Sequence, residues 1–163
     1  MLQPTFQSPP GRIQAVNLGG VRRLPVGDRT VMSAFGKRAV SGPVGVGPLG
    51  LVGDEQADLT VHGGLAKAVY AYPAEHYPFW EQARREAGVP AGADAGLLDA
   101  PLPSGALGEN LTVEGLHESE VWVGDRLLLP DCELVVSEPR QPCYKFVAAM
   151  GFARAAKVMA ESG

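Results

Sequence analysis

Cysteine is scarce in this chain: 163 residues carry two, Cys132 and Cys143. A pair without regular spacing supplies neither a disulfide framework nor a zinc-ligand set, so a reducing cytoplasm is the expected compartment. A single bridge between the two stays open from sequence alone. Long apolar runs are missing as well. The uncharged stretch 39–53 is short and rich in glycine and proline, which argues against a membrane-spanning helix. The first ten residues lack the basic-then-apolar order of a signal peptide. Clustered positive charge is also wanting. A formal net charge of −4 and a pI near 5.3 speak against a nucleic-acid partner. Any anion bound here is held by a few placed groups rather than by a field. No serine sits in a G-x-S-x-G elbow, which removes one hydrolase class.

Turn formers are abundant instead. Glycine (21) and proline (14) together exceed a fifth of the chain and separate short β-rich runs, the pattern of many strands and turns rather than a helix bundle. The length suits one domain that buries roughly 70% of its unfolded surface without staples. Strands are expected over 12–18, 30–34, 67–72, 121–129 and 133–137. The last two are joined as a hairpin at Pro130-Asp131, with a turn or bulge at Gly124-Asp125. One helix is expected from Pro73 to Gly88, Pro78 marking either a kink or the true first turn, with Tyr77 and Trp80 on one face. A second runs over 144–160 with a break at Gly151, and its Met150, Phe152, Ala156 and Met159 read as core packing. The Ala/Gly/Pro-rich segment 87–108 reads as a mobile surface excursion. Together these give a mainly β fold, a barrel with peripheral helices.

Gly45-Val46-Gly47-Pro48-Leu49-Gly50 matches G-x-G-x-x-G, yet Pro48 interrupts it and no amphipathic helix follows. A dinucleotide fingerprint needs that helix, so the run reads as a glycine-rich loop.

Chemistry concentrates elsewhere. In Glu138-Pro139-Arg140-Gln141-Pro142-Cys143-Tyr144-Lys145, the proline before Cys143 restricts the backbone to a rigid turn. Arg140 and Lys145 flank the sulfur with positive charge, a setting that suits a thiolate as a soft-metal ligand or sulfur carrier. Cys132 alternates with Leu134 and Val136 and reads as a small core residue. A second group is Val61-His62-Gly63-Gly64 with Lys67. His62 and Lys67 offer charge to an anion, and the two glycines let backbone N–H groups approach it. The same turn also reads as a salt-bridged surface loop in which His62 bonds the backbone. A third is Gly108-Glu109-Asn110-Leu111, where Asn110 can donate and accept together, as a heterocycle edge requires, or serve ordinary turn chemistry. His76 and His117 read as structural.

Several of these strings, in this order, resemble the MOSC domain, most closely its YiiM-like subgroup. They are Gly53-Asp54-Glu55-Gln56-Ala57-Asp58, Val61-His62-Gly63-Gly64, Lys67 through Pro73, Glu75-His76-Tyr77 with Trp80, Gly108 through Leu111, and Arg140 through Lys145. The resemblance implies a domain over 11–163 after an extension of residues 1–10, a MOSC-type β-barrel, and molybdenum cofactor (molybdopterin) as ligand. It puts the family cysteine on Cys143 as a thiolate ligand to molybdenum. His62, Gly63, Gly64, Lys67, Asn110, Arg140 and Lys145 then become cofactor-binding candidates. YiiM-like proteins continue past the position of Gly163, so either the barrel's final strands are missing from this chain or the barrel is closed some other way. The implied activity is reduction of N-hydroxylated compounds such as hydroxylaminopurine-type bases, with electrons from a separate reductase. The alternatives are a persulfide carrier, charged by a pyridoxal-phosphate-dependent desulfurase partner, and a protein that binds the cofactor without catalysis.

Overall fold

The computed structural model describes residues 11–59, 63–90 and 101–162. In chain order the strands are β1 (Arg12–Leu18), β2 (Arg22–Val26), β3 (Arg29–Ser33), β4 (Arg38–Ala39), β5 (Val46–Gly47), β6 (Gly50–Leu51), β7 (Ala71–Pro73), β8 (Leu111–Glu114), β9 (Arg126–Leu128) and β10 (Glu133–Val135). A four-stranded sheet in the order β4-β1-β8-β7 forms the centre, and β2-β3, β5-β6 and β9-β10 are separate two-stranded ribbons. β1 runs antiparallel to β8 from Arg12 opposite Glu114 to Val16 opposite Leu111, and β7 lies parallel to β8 with Ala71 opposite Leu111. This register gathers three strand ends at one spot. The Asn17 amide donates to the Asn110 carbonyl at 2.7 Å, and the Asn110 amide donates to the Tyr70 carbonyl at 2.7 Å.

The expected barrel is not closed. Among the described residues β4 and β7 each have one neighbour in the sheet and the ribbons pair only internally, so no ring of strand pairing forms. The protein is therefore a mainly β fold of sheet and ribbons with few helices.

The helices follow their end signals. A 3₁₀ turn, Ala74–His76, leads into α1 (Tyr77–Glu86), and Pro78 sits in its first turn, where a missing N–H costs nothing. Trp80 is buried there, and its indole N–H donates to the Tyr72 hydroxyl at 2.6 Å. α2 (Tyr144–Met150) ends where Gly151 turns left-handed at φ 80, and α3 (Ala155–Ser162) follows. An L side chain in that conformation costs about 1–2 kcal/mol. Gly151→Ala is accordingly expected to lower unfolding stability by about 1 kcal/mol in urea titrations, and an unchanged midpoint would contradict this C-cap role. Met150, Ala149 and Ala155 are buried with Trp80 and Phe146, and Phe152 and Met159 pack against them. A smaller cluster of Leu51, Leu111 and Val113 covers the other part of the sheet.

Several expectations change. The 67–72 strand is replaced by a 3₁₀ turn, Leu65–Lys67, and the short β7, because Tyr70 turns its backbone toward Asn110. The 121–129 strand shrinks to β9, since Gly124-Asp125 is a turn: Asp125 donates to the Trp122 carbonyl at 3.0 Å and its carboxylate accepts from the Trp122 amide. The described end of the 87–108 segment is no surface excursion, for Leu102, Ala106 and Leu107 lie in the main core. Cys132 does share a face with Leu134 and Val136, but all three are half-buried because the β9-β10 ribbon stands on the surface. Both cysteines are free. Gly45–Gly50 is the β5-β6 hairpin, with Pro48 and Leu49 at its tip.

Candidate functional site

Where β1, β7 and β8 converge, a cleft opens whose lining includes Cys143, Arg140 and Lys145 from the α2 start, Lys67, Tyr70 and Asn110 from the sheet edge, and Lys37 with Asp54. Its enclosed volume is about 70 Å³, and it runs from buried Lys37 out to exposed Glu55. Residues read from three separate strings thus meet at one place.

Cys143 is the residue just before α2, in extended conformation (φ −121, ψ 172) and half-buried, its thiol in no cap bond. Pro142 holds that approach, since the residue's own ring fixes φ and limits its neighbours. Lys145 follows in the first helical turn and is 8% exposed. The helix dipole disfavours a cation there. Among the described residues no carboxylate comes within ion-pair distance of Lys145 or of Arg140. Arg140 instead lies over the Tyr70 ring, 5.2 Å from its centroid. Burial pushes the Tyr70 phenol well above its ordinary value, so that ring stays neutral and offers a π face. Lys67 is partly committed, 3.5 Å from the Glu138 carboxylate.

The floor is a buried ion pair that sequence reading missed. Lys37 Nζ donates to both carboxylate oxygens of Asp54, and the side chains are 8% and 4% exposed. Asp54 also accepts from the Gly19 amide at 2.8 Å and from Asn110 Nδ2 at 2.9 Å. Burial lowers the Lys37 ammonium pKa, Asp54 opposes that fall, and the nearby Arg140 adds to it. Removing one partner of such a pair strands a buried charge, at about 3–5 kcal/mol.

Asn110 reaches the cleft, but its amide is engaged within the chain. Nδ2 donates to Asp54 and to the Asn17 carbonyl at 3.3 Å, and Oδ1 accepts from the Tyr70 amide at 3.2 Å. It positions Asp54 and Tyr70. Beneath it Glu109 is fully buried and accepts from the Gly105 amide at 2.8 Å, the Leu107 amide at 3.1 Å, Thr112 Oγ1 at 2.8 Å and the Tyr77 hydroxyl. This carboxylate shapes the loop that carries Asn110. Gly63 and Gly64 are not part of the cleft lining. A Cβ on Gly63 would stand 2.3 Å from Gln56 Oε1, so a larger residue there would displace the Gln56 side chain. His62 lies outside the described residues. His76 and His117 stay away from the cleft, His76 2.9 Å from Glu118 and His117 4.0 Å from Glu75.

Among the described residues no three His, Cys, Asp or Glu side chains gather as a metal-ligand set. No helix among the described residues is long and apolar enough to cross a membrane.

Comparison with known proteins places the chain in a family. The MOSC domain profile matches residues 58–163. The chain is 40% identical over 139 residues to the uncharacterized protein YflK of Bacillus subtilis, covering 85% of this chain and 57% of YflK. It is 38% identical to protein YiiM of Escherichia coli, covering 91% of this chain and 60% of YiiM. A Gibberella moniliformis protein named reductase is 36% identical over 94% of this chain, which spans 25% of that protein. The crystal structure of YiiM from Geobacillus stearothermophilus superposes with a TM-score of 0.65 at 30% identity, covering 94% of this chain and 64% of that one. The chain thus spans about three fifths of the length of the bacterial relatives it matches. The chain belongs to the MOSC domain family.

Proposed function

We propose that this chain binds molybdenum cofactor in the cleft and serves in the reduction of N-hydroxylated compounds, hydroxylaminopurine-type bases among them. One observation carries the reading: the half-buried Cys143 thiol shares its cleft with a buried lysine and an arginine that no described carboxylate neutralises. Burying a cation without an anion is costly, and the pattern suits a ligand that brings negative charge of its own. Sulfur is a soft ligand fit for molybdenum. The cleft volume of about 70 Å³ would hold part of such a ligand, and the cleft opens to solvent. The MOSC family and the reductase name of one relative support the same direction.

When bound, the cofactor supplies two-electron chemistry at molybdenum. The chain's residues do the rest. Cys143 holds the metal, Arg140 and Lys145 offset negative charge, and Lys67 adds a cation beside Glu138. Asn110 fixes the Asp54 carboxylate at the floor. Gly63 and Gly64 lie outside the cleft lining, and His62 is carried as a cofactor-binding candidate by the family resemblance alone. Electrons come from a separate reductase. The test is to load the protein with molybdenum cofactor and offer an N-hydroxylated base with a chemical reductant. Formation of the amine is the expected result. Loaded protein that leaves the base unchanged contradicts the activity.

A further inference from the structure

We propose that Lys37 is the proton donor of this cleft, delivering a proton to the oxygen that leaves an N-hydroxyl group. The inference rests on the reductive reading above. Converting R–NH–OH to R–NH₂ and water breaks one N–O bond and consumes two electrons and two protons. The electrons come from the electron-donor reductase protein. One proton ends on nitrogen and one on the departing oxygen. The second is the one assigned to Lys37, which regains it from solvent through the open mouth.

The geometry suits a donor held to one position. Gly19 and Gly105 enclose the lysine: a Cβ on Gly19 would stand 3.0 Å from Lys37 Cγ, and one on Gly105 would stand 2.6 Å from the Lys37 carbonyl. Side chains at either place would push the lysine out of line. Its ammonium is then anchored by both oxygens of Asp54, which Gly19 and Asn110 hold in turn. Both bonds go to one carboxylate, and Lys37 itself lines the cleft. Four segments of the chain therefore converge to aim one ammonium group. Lys37 and Asp54 line the same cleft as Cys143.

A lysine can also lose its proton, which an arginine cannot. Burial makes that loss easier, and Arg140 helps, while Asp54 and Glu109 oppose. Glu55, Asp58, Lys67, Tyr70, Cys143 and Lys145 are the further titratable groups that line the same cleft.

Lys37→Arg separates donor from counter-ion, because it keeps the charge beside Asp54 and withholds the proton. The variant is expected to match wild type in molybdenum content and to unfold cooperatively, yet to reduce the base about 100-fold more slowly. Wild-type kcat/KM is expected to fall on the alkaline side, and Lys37→Arg to lose that limb. An independent readout is ¹³C-lysine NMR of the wild-type protein, with the Lys37 signal assigned by its disappearance in Lys37→Arg. Its midpoint is expected below the ordinary lysine value of about 10.4 and in register with the alkaline limb. Wild-type rates in Lys37→Arg overturn the donor role alone. A loaded wild type without turnover contradicts the reductive reading and the donor role with it. Should Lys37→Arg fail to take up the cofactor, the wild-type titration decides: a midpoint that coincides with the alkaline limb supports the donor, and one that does not overturns it.

Discussion

Glu109→Ala unfolds about 3–5 kcal/mol more easily than wild type, because a buried hydrogen-bond network loses its common acceptor. The size follows from what the carboxylate holds. Two backbone amides, the Thr112 hydroxyl and the Tyr77 hydroxyl all donate to it, and the residue is fully buried. A buried donor left without its acceptor costs about 1–3 kcal/mol, and the relief of a buried charge returns part of the total. Glu109→Gln keeps one carbonyl but turns an amide toward the Leu107 N–H, so a smaller loss of about 1–2 kcal/mol is expected. Burial is the largest influence on Glu109 and pushes its carboxyl above the ordinary value, against the pull of its donors. A raised folded-state value means that the stability linked to this group is complete below the ordinary carboxyl range and is lost as pH rises through the raised value. Measured against Glu109→Gln, wild type therefore gains on acidification through that window. Urea titrations at several pH values check both statements, and an alanine variant as stable as wild type would contradict the hub.

Cys143→Ser carries the largest effect on activity. Replacing sulfur by oxygen leaves the size nearly unchanged at a half-buried position, so stability should move by less than about 1 kcal/mol. A hard oxygen is a poor match for a thiophilic metal, and even the loss of groups that only support a ligand costs 10–100-fold. Reduction of the N-hydroxylated base is expected to fall by at least about 100-fold, at wild-type folding cooperativity. Equal turnover in the two proteins would remove Cys143 from the metal.

Much of this was legible in the sequence where local chemistry decides. The strand 12–18 has the bounds of β1, Pro78 marks the start of α1, Gly151 breaks the last helical run, and Pro130-Asp131 turns the β9-β10 hairpin. Each reads from a residue's own backbone limits. Cys143, Arg140, Lys145, Lys67 and Asn110 also emerged from their strings and do line one cleft. What stayed hidden depends on distant pairing. β2 reads poorly as a strand, with two arginines and Pro25, and exists because it pairs with β3 across Gly27-Asp28. Leu102, Ala106 and Leu107 sit in a stretch whose composition suggests surface, yet they fill the core beneath Glu109. Nothing near Lys37 announces Asp54, seventeen positions on. The β1-β4 and β1-β8 pairings bring that lysine near Asn110, and Gly19 and Asn110 hold Asp54 beside them.

The chemistry attributed to the cleft stands on a sulfur-anchored molybdenum. Metal and pterin analysis of the wild-type protein, purified from a host that makes the cofactor, addresses this most directly. Near-stoichiometric molybdenum with pterin, lost in Cys143→Ser, is the predicted outcome. Wild-type protein free of both, from a host whose other molybdoenzymes are loaded, would contradict it.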